Sequence, residues 1–268
     1  MKFRMGELTA AEMREVRAAS PVILLPLGSH EDQGPHAPMG DYLAAEAIAV
    51  AIAERASERG VRTLVAPVLP FGGADYFGSV PGGLALSSAT LRAVLDDLLT
   101  GLLRHQLRRL IILNGHAGNV PIVHEATQLI YRRDRVLIPN FYLWRIAYEL
   151  LAVKCGPDAI ALAGHGADPL TSINLKLFPQ WTRPDLVPEP QPAPHVMGLP
   201  VTTFGSVRFE GVEVQVPVEV DEIAPNGVCR GDPRASSAER GALLIEHLTE
   251  IGARFVSHFS QNTASHPT

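Results

Sequence analysis

Short, wholly apolar runs alternate with longer helix-like stretches along this chain, and that alternation narrows the folds open to it. Val22–Leu27 carries no polar side chain and stops at Gly28, and Leu110–Leu113 does the same before Asn114-Gly115. Runs this short with no polar face read as strands buried on both sides. Arg62–Leu69 and Val136–Phe141 read as two more strands. Between these runs lie helical stretches. Thr9 and Glu12 form a capping box that opens a first helix ending near Ala19. Leu43–Arg59 is Ala-rich and closes at Gly60, and Ser87 or Ser88 caps a helix to about His105. Further helices are expected over Val120–Arg132, Leu143–Val153, Leu170–Leu177 and Ser236–His258. Such alternation predicts an α/β fold with a mostly parallel sheet covered on both faces. Pro179–Pro200 is expected to be an irregular connection, and Val212–Val220 an edge or hairpin strand. One domain spanning residues 1–268 is expected.

In a sheet of this kind, ligands bind beyond the carboxyl ends of the strands. The polar segments worth explaining follow strands: Gly28–Asp41 the first, Gly72–Gly83 the second, Asn114–Asn119 the third. The first loop holds Glu31, Asp41 and His36 between two prolines and three glycines that fix its path. Two carboxylates held close together need a cation or a shared proton. His116, flanked by small residues at a strand end, would complete a set of one imidazole and two carboxylates suited to zinc, manganese or iron. His165 lies in Gly164-His165-Gly166-Ala167-Asp168, before a helix that Asp168 or Thr171 is placed to cap, and its ordinary pKa suits proton transfer at neutral pH.

Other chemistries are excluded by the same reading. There is no phosphate-binding GxxxxGK[ST] loop, no GxGxxG and no GxSxG. His124-Glu125 begins like a zinc-protease helix, but Gln128 stands where a second His is needed. With a formal net charge of -5 and scattered basic residues, the chain lacks a nucleic-acid footprint. The two cysteines, Cys155 and Cys229, form no framework and no CxxC. Met1–Ser20 has no apolar secretion core and no run has membrane-spanning length, so a cytoplasmic protein is expected.

Four segments, in order, resemble the creatininase family of amidohydrolases: Gly28–Asp41, Asn114-Gly115-His116-Ala117-Gly118-Asn119, His165–Ser172, and Gly227-Val228-Cys229-Arg230-Gly231-Asp232-Pro233. The resemblance implies a three-layer α/β/α sandwich, commonly a hexamer, with a divalent metal site that holds two ions in several members. It implies that Glu31, Asp41 and His116 hold the first ion and that His165 is the catalytic imidazole, with Glu31 also in the catalytic set. The expected partner is a small-molecule substrate, with Asp75, Tyr76, Gly118 and Asn119 at its binding site. Backbone N–H groups near Gly118 and Asn119 are expected to face a developing oxyanion. The chain departs from the family pattern at several places, three of them at candidate site positions. Gln33 replaces a His of the second metal, Gly118 a carboxylate, and Asp168 a Glu. One firm metal and a weak or absent second are therefore expected, with Gln33, His36 and Asp168 as second-ion ligands or as groups orienting the first ligands. The activity expected is hydrolysis of a small cyclic amide or related carbonyl compound. Action on a formamide, a lactone or a cyclic polyol ketone, or binding without catalysis, are the alternatives.

Overall fold

A computed structural model describes residues 1–189, 191–192 and 194–263. Its centre is a parallel sheet of four strands in the order β2-β1-β3-β4, formed by β1 (Val22–Leu27), β2 (Thr63–Val65), β3 (Arg109–Asn114) and β4 (Asn140–Tyr142). Helix α1 (Ala10–Ala18) precedes the first strand, and α2 (Tyr42–Glu58), α3 (Ser88–Arg104) and α4 (Val120–Asp134) connect the strands. The expected caps are present: Glu12 N–H donates to Thr9 Oγ1, and Thr90 N–H donates to Ser87 Oγ.

Alternation along each strand divides the core into two faces, because successive side chains of a strand point to opposite sides. Val22, Leu24, Ile111 and Leu113 face the helices α2, α5 (Leu143–Cys155), α7 (Leu170–Leu177) and α9 (Ala238–Asn262). Ile23, Leu25, Leu110 and Ile112 face α1, α3 and α4. A four-residue helix, α6 (Asp158–Ala161), sits between α5 and α7. The chain is therefore the three-layer α/β/α sandwich expected. The α7–α9 contact is backbone-close: a Cβ on Gly241 would lie 1.9 Å from the carbonyl oxygen of Ser172.

Two strands are shorter than the sequence suggests, and proline accounts for both. β2 stops at Val65 before Pro67, which has no N–H to donate, and the chain rejoins the sheet only through a bridge between Leu27 and Leu69. β4 begins at Asn140, after Pro139, although Val136 and Ile138 are buried on the way in.

A second sheet was not expected. β5 (His195–Val196), β6 (Leu199–Thr203), β7 (Ser206–Phe209) and β8 (Val212–Gln215) form an antiparallel meander. Its first strands occupy the end of the segment read as irregular, part of which lies outside the described residues. The strand expected at Val212–Val220 ends at Gln215, and Val220–Ile223 is a short helix, α8. Val201, Val207, Val220, Phe77 and Cys229 form a small core beneath this sheet. Among the described residues no helix is long and apolar enough to cross a membrane.

Candidate metal centre

Gly28 ends β1 because nothing larger fits: a Cβ there would lie 2.5 Å from Asp41 Oδ1. Asp41 folds back from the far end of the loop, and its Oδ1 accepts the Ser29 N–H at 2.7 Å. At the end of β3, the Asn114 side chain brackets His116. Its Nδ2 donates to the His116 carbonyl at 2.7 Å, and its Oδ1 accepts the His116 N–H at 3.1 Å. The two loops thus present their ligand-type atoms to one point. His116 Nδ1 lies 3.2 Å from Glu31 Oε1 and 3.3 Å from Asp41 Oδ2, and all three side chains are buried.

On its other side, the His116 ring donates from Nε2 to the Gly73 carbonyl at 3.0 Å. In the neutral ring this puts the lone pair on Nδ1, facing two carboxylates. Three lone-pair donors converging in a buried pocket are a poor arrangement unless a cation joins them, so the donor set fits a divalent ion. The electrostatics agree. Burial pushes the Asp41 carboxyl up to about 7. Burial also opposes charge on His116, but Glu31 and Asp41 together override it and hold the imidazole well above its ordinary value. The pocket favours positive charge at its centre.

His165 approaches from a third loop. Gly164 and Gly166 flank it, and a Cβ on either would collide with the backbone of 227–231, 2.4 Å from the Arg230 carbonyl and 2.7 Å from the Gly227 carbonyl. Their absence of side chains lets His165 pair backbone to backbone with Cys229. The His165 ring stacks on Phe77 at 4.6 Å and donates from Nε2 to the Asp32 carbonyl at 2.8 Å, leaving Nδ1 as its basic nitrogen. Burial holds its pKa below the ordinary value, so it is neutral at neutral pH.

The other expected residues divide. Gln33 is buried and its amide donates to Glu31 Oε1 at 3.1 Å. His36 is buried away from the three ligands, with Nε2 3.3 Å from Thr171 Oγ1. Asp168 neither caps a helix nor faces the centre. Pro169 is the N-cap of α7, and the Asp168 carboxylate is held by Arg240 and Ser172. Thr171 lies inside α7, so it is not the cap either. Asp75 is exposed and sits outside the cavity lining, whereas Tyr76 lines it. Asn119 is a clasp. Its amide donates to the Gly28 carbonyl and to Asn114 Oδ1, both at 3.2 Å, and accepts the Gly73 N–H at 2.9 Å. The Asn119 backbone N–H is also spent, on the His116 carbonyl at 3.3 Å, and cannot serve an oxyanion. Gly118 packs against Gly73.

The three ligand-type residues and His165 border a cavity of about 870 Å³. Sequence reasoning missed most of its wall: Tyr142, Trp144, Tyr148, Phe204 and Arg230. Tyr142 and Trp144 were within reach, since they lie at and just after the carboxyl end of β4, as the other site loops follow β1 and β3. Phe204 sits in the turn of an unforeseen hairpin and carries no such signal. Burial raises both Tyr142 and Tyr148, the latter to about 12, so both hydroxyls remain protonated donors.

Residues 6–256 match the family model described as creatinine amidohydrolase. The chain belongs to the creatininase family. It is 31% identical over 207 residues to the creatinine amidohydrolase of Pseudomonas putida, covering 70% of this chain and 76% of that one. It is 29% identical to the mycofactocin precursor peptide peptidase of Mycobacterium tuberculosis over 262 residues, 95% of this chain and 92% of that one. A manganese form of creatininase superposes with a TM-score of 0.77 at 26% identity, covering 97% of this chain and 99% of that one. A Zn–Zn creatininase and the 3-dehydro-scyllo-inosose hydrolase of Thermotoga maritima also match. Like its creatininase relatives, the chain is a metal-dependent amidohydrolase, and its buried Glu-Asp-His group suits the manganese or zinc those structures carry.

Proposed function

We propose that this creatininase-family enzyme hydrolyses the amide bond of a small cyclic amide or a related carbonyl compound. The observation that supports this is the convergence of Glu31, Asp41 and His116 on the same cavity that His165 borders. Glu31, Asp41 and His116 Nδ1 would hold a divalent ion, and its chemistry when bound is to acidify water and polarise a carbonyl. His165 would take a proton at Nδ1 and return it to the leaving nitrogen, its Nε2–H staying on the Asp32 carbonyl. Tyr76 and Phe204, with ring centroids 5.7 Å apart, would receive a flat ring against their faces. Tyr142 and Tyr148 would donate to substrate oxygens. A cytoplasmic, homo-oligomeric enzyme is part of the same reading, a hexamer by family resemblance.

A second reading is favoured by cavity size. About 870 Å³ is far more than one small ring fills and lies toward the upper end of ligand pockets. A larger amide such as a peptide terminus would use that space.

The test is a substrate panel of lactams, short peptides, formamides, lactones and cyclic ketones, run with and without chelation. Metal-dependent turnover of an amide, abolished in Glu31→Gln and His116→Ala, is the expected result. Retention of both metal and turnover in those two variants would defeat the reading.

A further inference from the structure

We infer that this centre holds one metal ion, not two, and that Gln33 orients the Glu31 ligand in place of binding a second ion. The inference rests on the metal reading above and concerns how the chain departs from the Zn–Zn relative it matches.

The positions that would hold a second ion are missing, engaged or out of reach: His36 keeps an unpartnered Nδ1 but is not among the side chains close enough to share an ion with Glu31, Asp41 and His116. At Gly118 no side chain can be admitted. A Cβ there would lie 2.4 Å from the Gly73 carbonyl oxygen, 2.7 Å from His116 Nε2 and 2.8 Å from Ala74 Cβ. That carbonyl is the acceptor that fixes the His116 ring, so it cannot be moved aside without cost to the first site. Gln33 turns its NH2 group toward Glu31 Oε1, because a carboxylate only accepts. An amide in that orientation aims its donor, not its oxygen, at the ligand oxygen. Asp168 is tied to Arg240 and Ser172, and Asp32 Oδ1 accepts the Gly34 N–H at 2.9 Å. Cys229 keeps its proton, since burial pushes the thiol up to about 11. Glu213 pairs with Arg208 at 3.3 Å. Among the described residues, the only group of three or more acids, imidazoles and thiols close enough to share an ion is Glu31, Asp41 and His116.

Gln33 then has a different use. Its hydrogen bond to Oε1 fixes the rotation of the Glu31 carboxylate at a buried position where water does not compete. Partners of this kind commonly change metal affinity by about 10–100-fold when removed.

Metal-stripped protein titrated with Zn²⁺ and counted by native mass spectrometry, alongside Co²⁺ absorption spectra, tests both parts. One ion per chain with a single-step isotherm supports the inference. Two ions per chain of comparable affinity overturn it while leaving the hydrolase reading intact. No specific binding overturns the metal centre itself, and the inference with it. Gln33→Leu should still bind at most one ion, about 10–100-fold more weakly, with a shifted Co²⁺ spectrum. Unchanged affinity and spectrum in that variant would remove the orienting role. The wild-type titration decides the stoichiometry whether or not the variant folds.

Discussion

His116 Nε2 and the carbonyl of Gly73 lie 3.0 Å apart, which ties the buried imidazole to a loop from a different part of the chain. Gly73 is held in turn by Asn119, whose Oδ1 accepts its N–H. Asn119→Ala therefore releases Gly73, Gly28 and Asn114 together. Loss of about 2–4 kcal/mol of stability is expected from several unpaired buried groups, with weaker metal binding. Chemical denaturation and metal titration of the variant measure both. Unchanged metal affinity would show that the His116 ring is fixed without the clasp.

Two helical glycines should respond in opposite ways to alanine. Gly241→Ala drives a methyl group into the Ser172 carbonyl and forces α7 and α9 apart, costing about 1–3 kcal/mol or more. Gly101, inside α3, has nothing within 4 Å of a built Cβ. Gly101→Ala should stabilise by about 0.5–1 kcal/mol through helix propensity. Paired thermal melts give the comparison, and equal effects would contradict the helix contact described.

Asp168 is buried and its carboxylate faces Arg240. Arg240→Ala leaves that charge without its cation and should cost about 3–5 kcal/mol. Asp168→Leu combined with Arg240→Met should recover much of the loss, because it leaves no unpaired charge. A double-mutant cycle by urea denaturation measures the coupling, and additive effects would count against the pair.

pH dependence follows from two imidazoles. Burial comes first among the influences on His36 and lowers its pKa, against the Gly166 backbone and Asp32, which raise it. The unfolded chain then binds the proton first as pH falls below about 6.5. Stability contributed by neutral His36 is complete above that value and is lost as pH descends through the lowered folded pKa. His36→Gln should flatten the acid side of a stability–pH profile. For His165, also lowered chiefly by burial, the acid limb of kcat/KM should fall below pH 6.5. A limb above 6.5 would argue that another group is the base.

The parallel sheet and the convergence of Glu31, Asp41 and His116 were legible because they obey local rules. Val22–Leu27 is apolar at every position, and Glu31, Asp41 and His116 follow strand ends, where such sheets place their sites. The limits of β2 and β4 were less legible because Pro67 and Pro139 act through missing N–H groups, which apolar runs do not reveal. The role of Asp168 was hidden in its partner: Arg240 is 72 residues away, and no local pattern announces the pair. Likewise, Asn119 reads as a substrate-binding residue, and only the folded chain shows it bonded to Gly28, Gly73 and Asn114. The meander β5–β8 is made of strands of two to five residues, too short for periodicity to register.

That meander sits apart from the elements that carry Glu31, Asp41 and His116, yet it reaches the cavity through Phe204, Ser206 and Gln215. On the function proposed above, reactivity and selectivity are consequently encoded on different stretches of polypeptide. Exchanging the hairpin turn of one family member for another's is a route to retarget the enzyme while its bond-breaking machinery stays untouched.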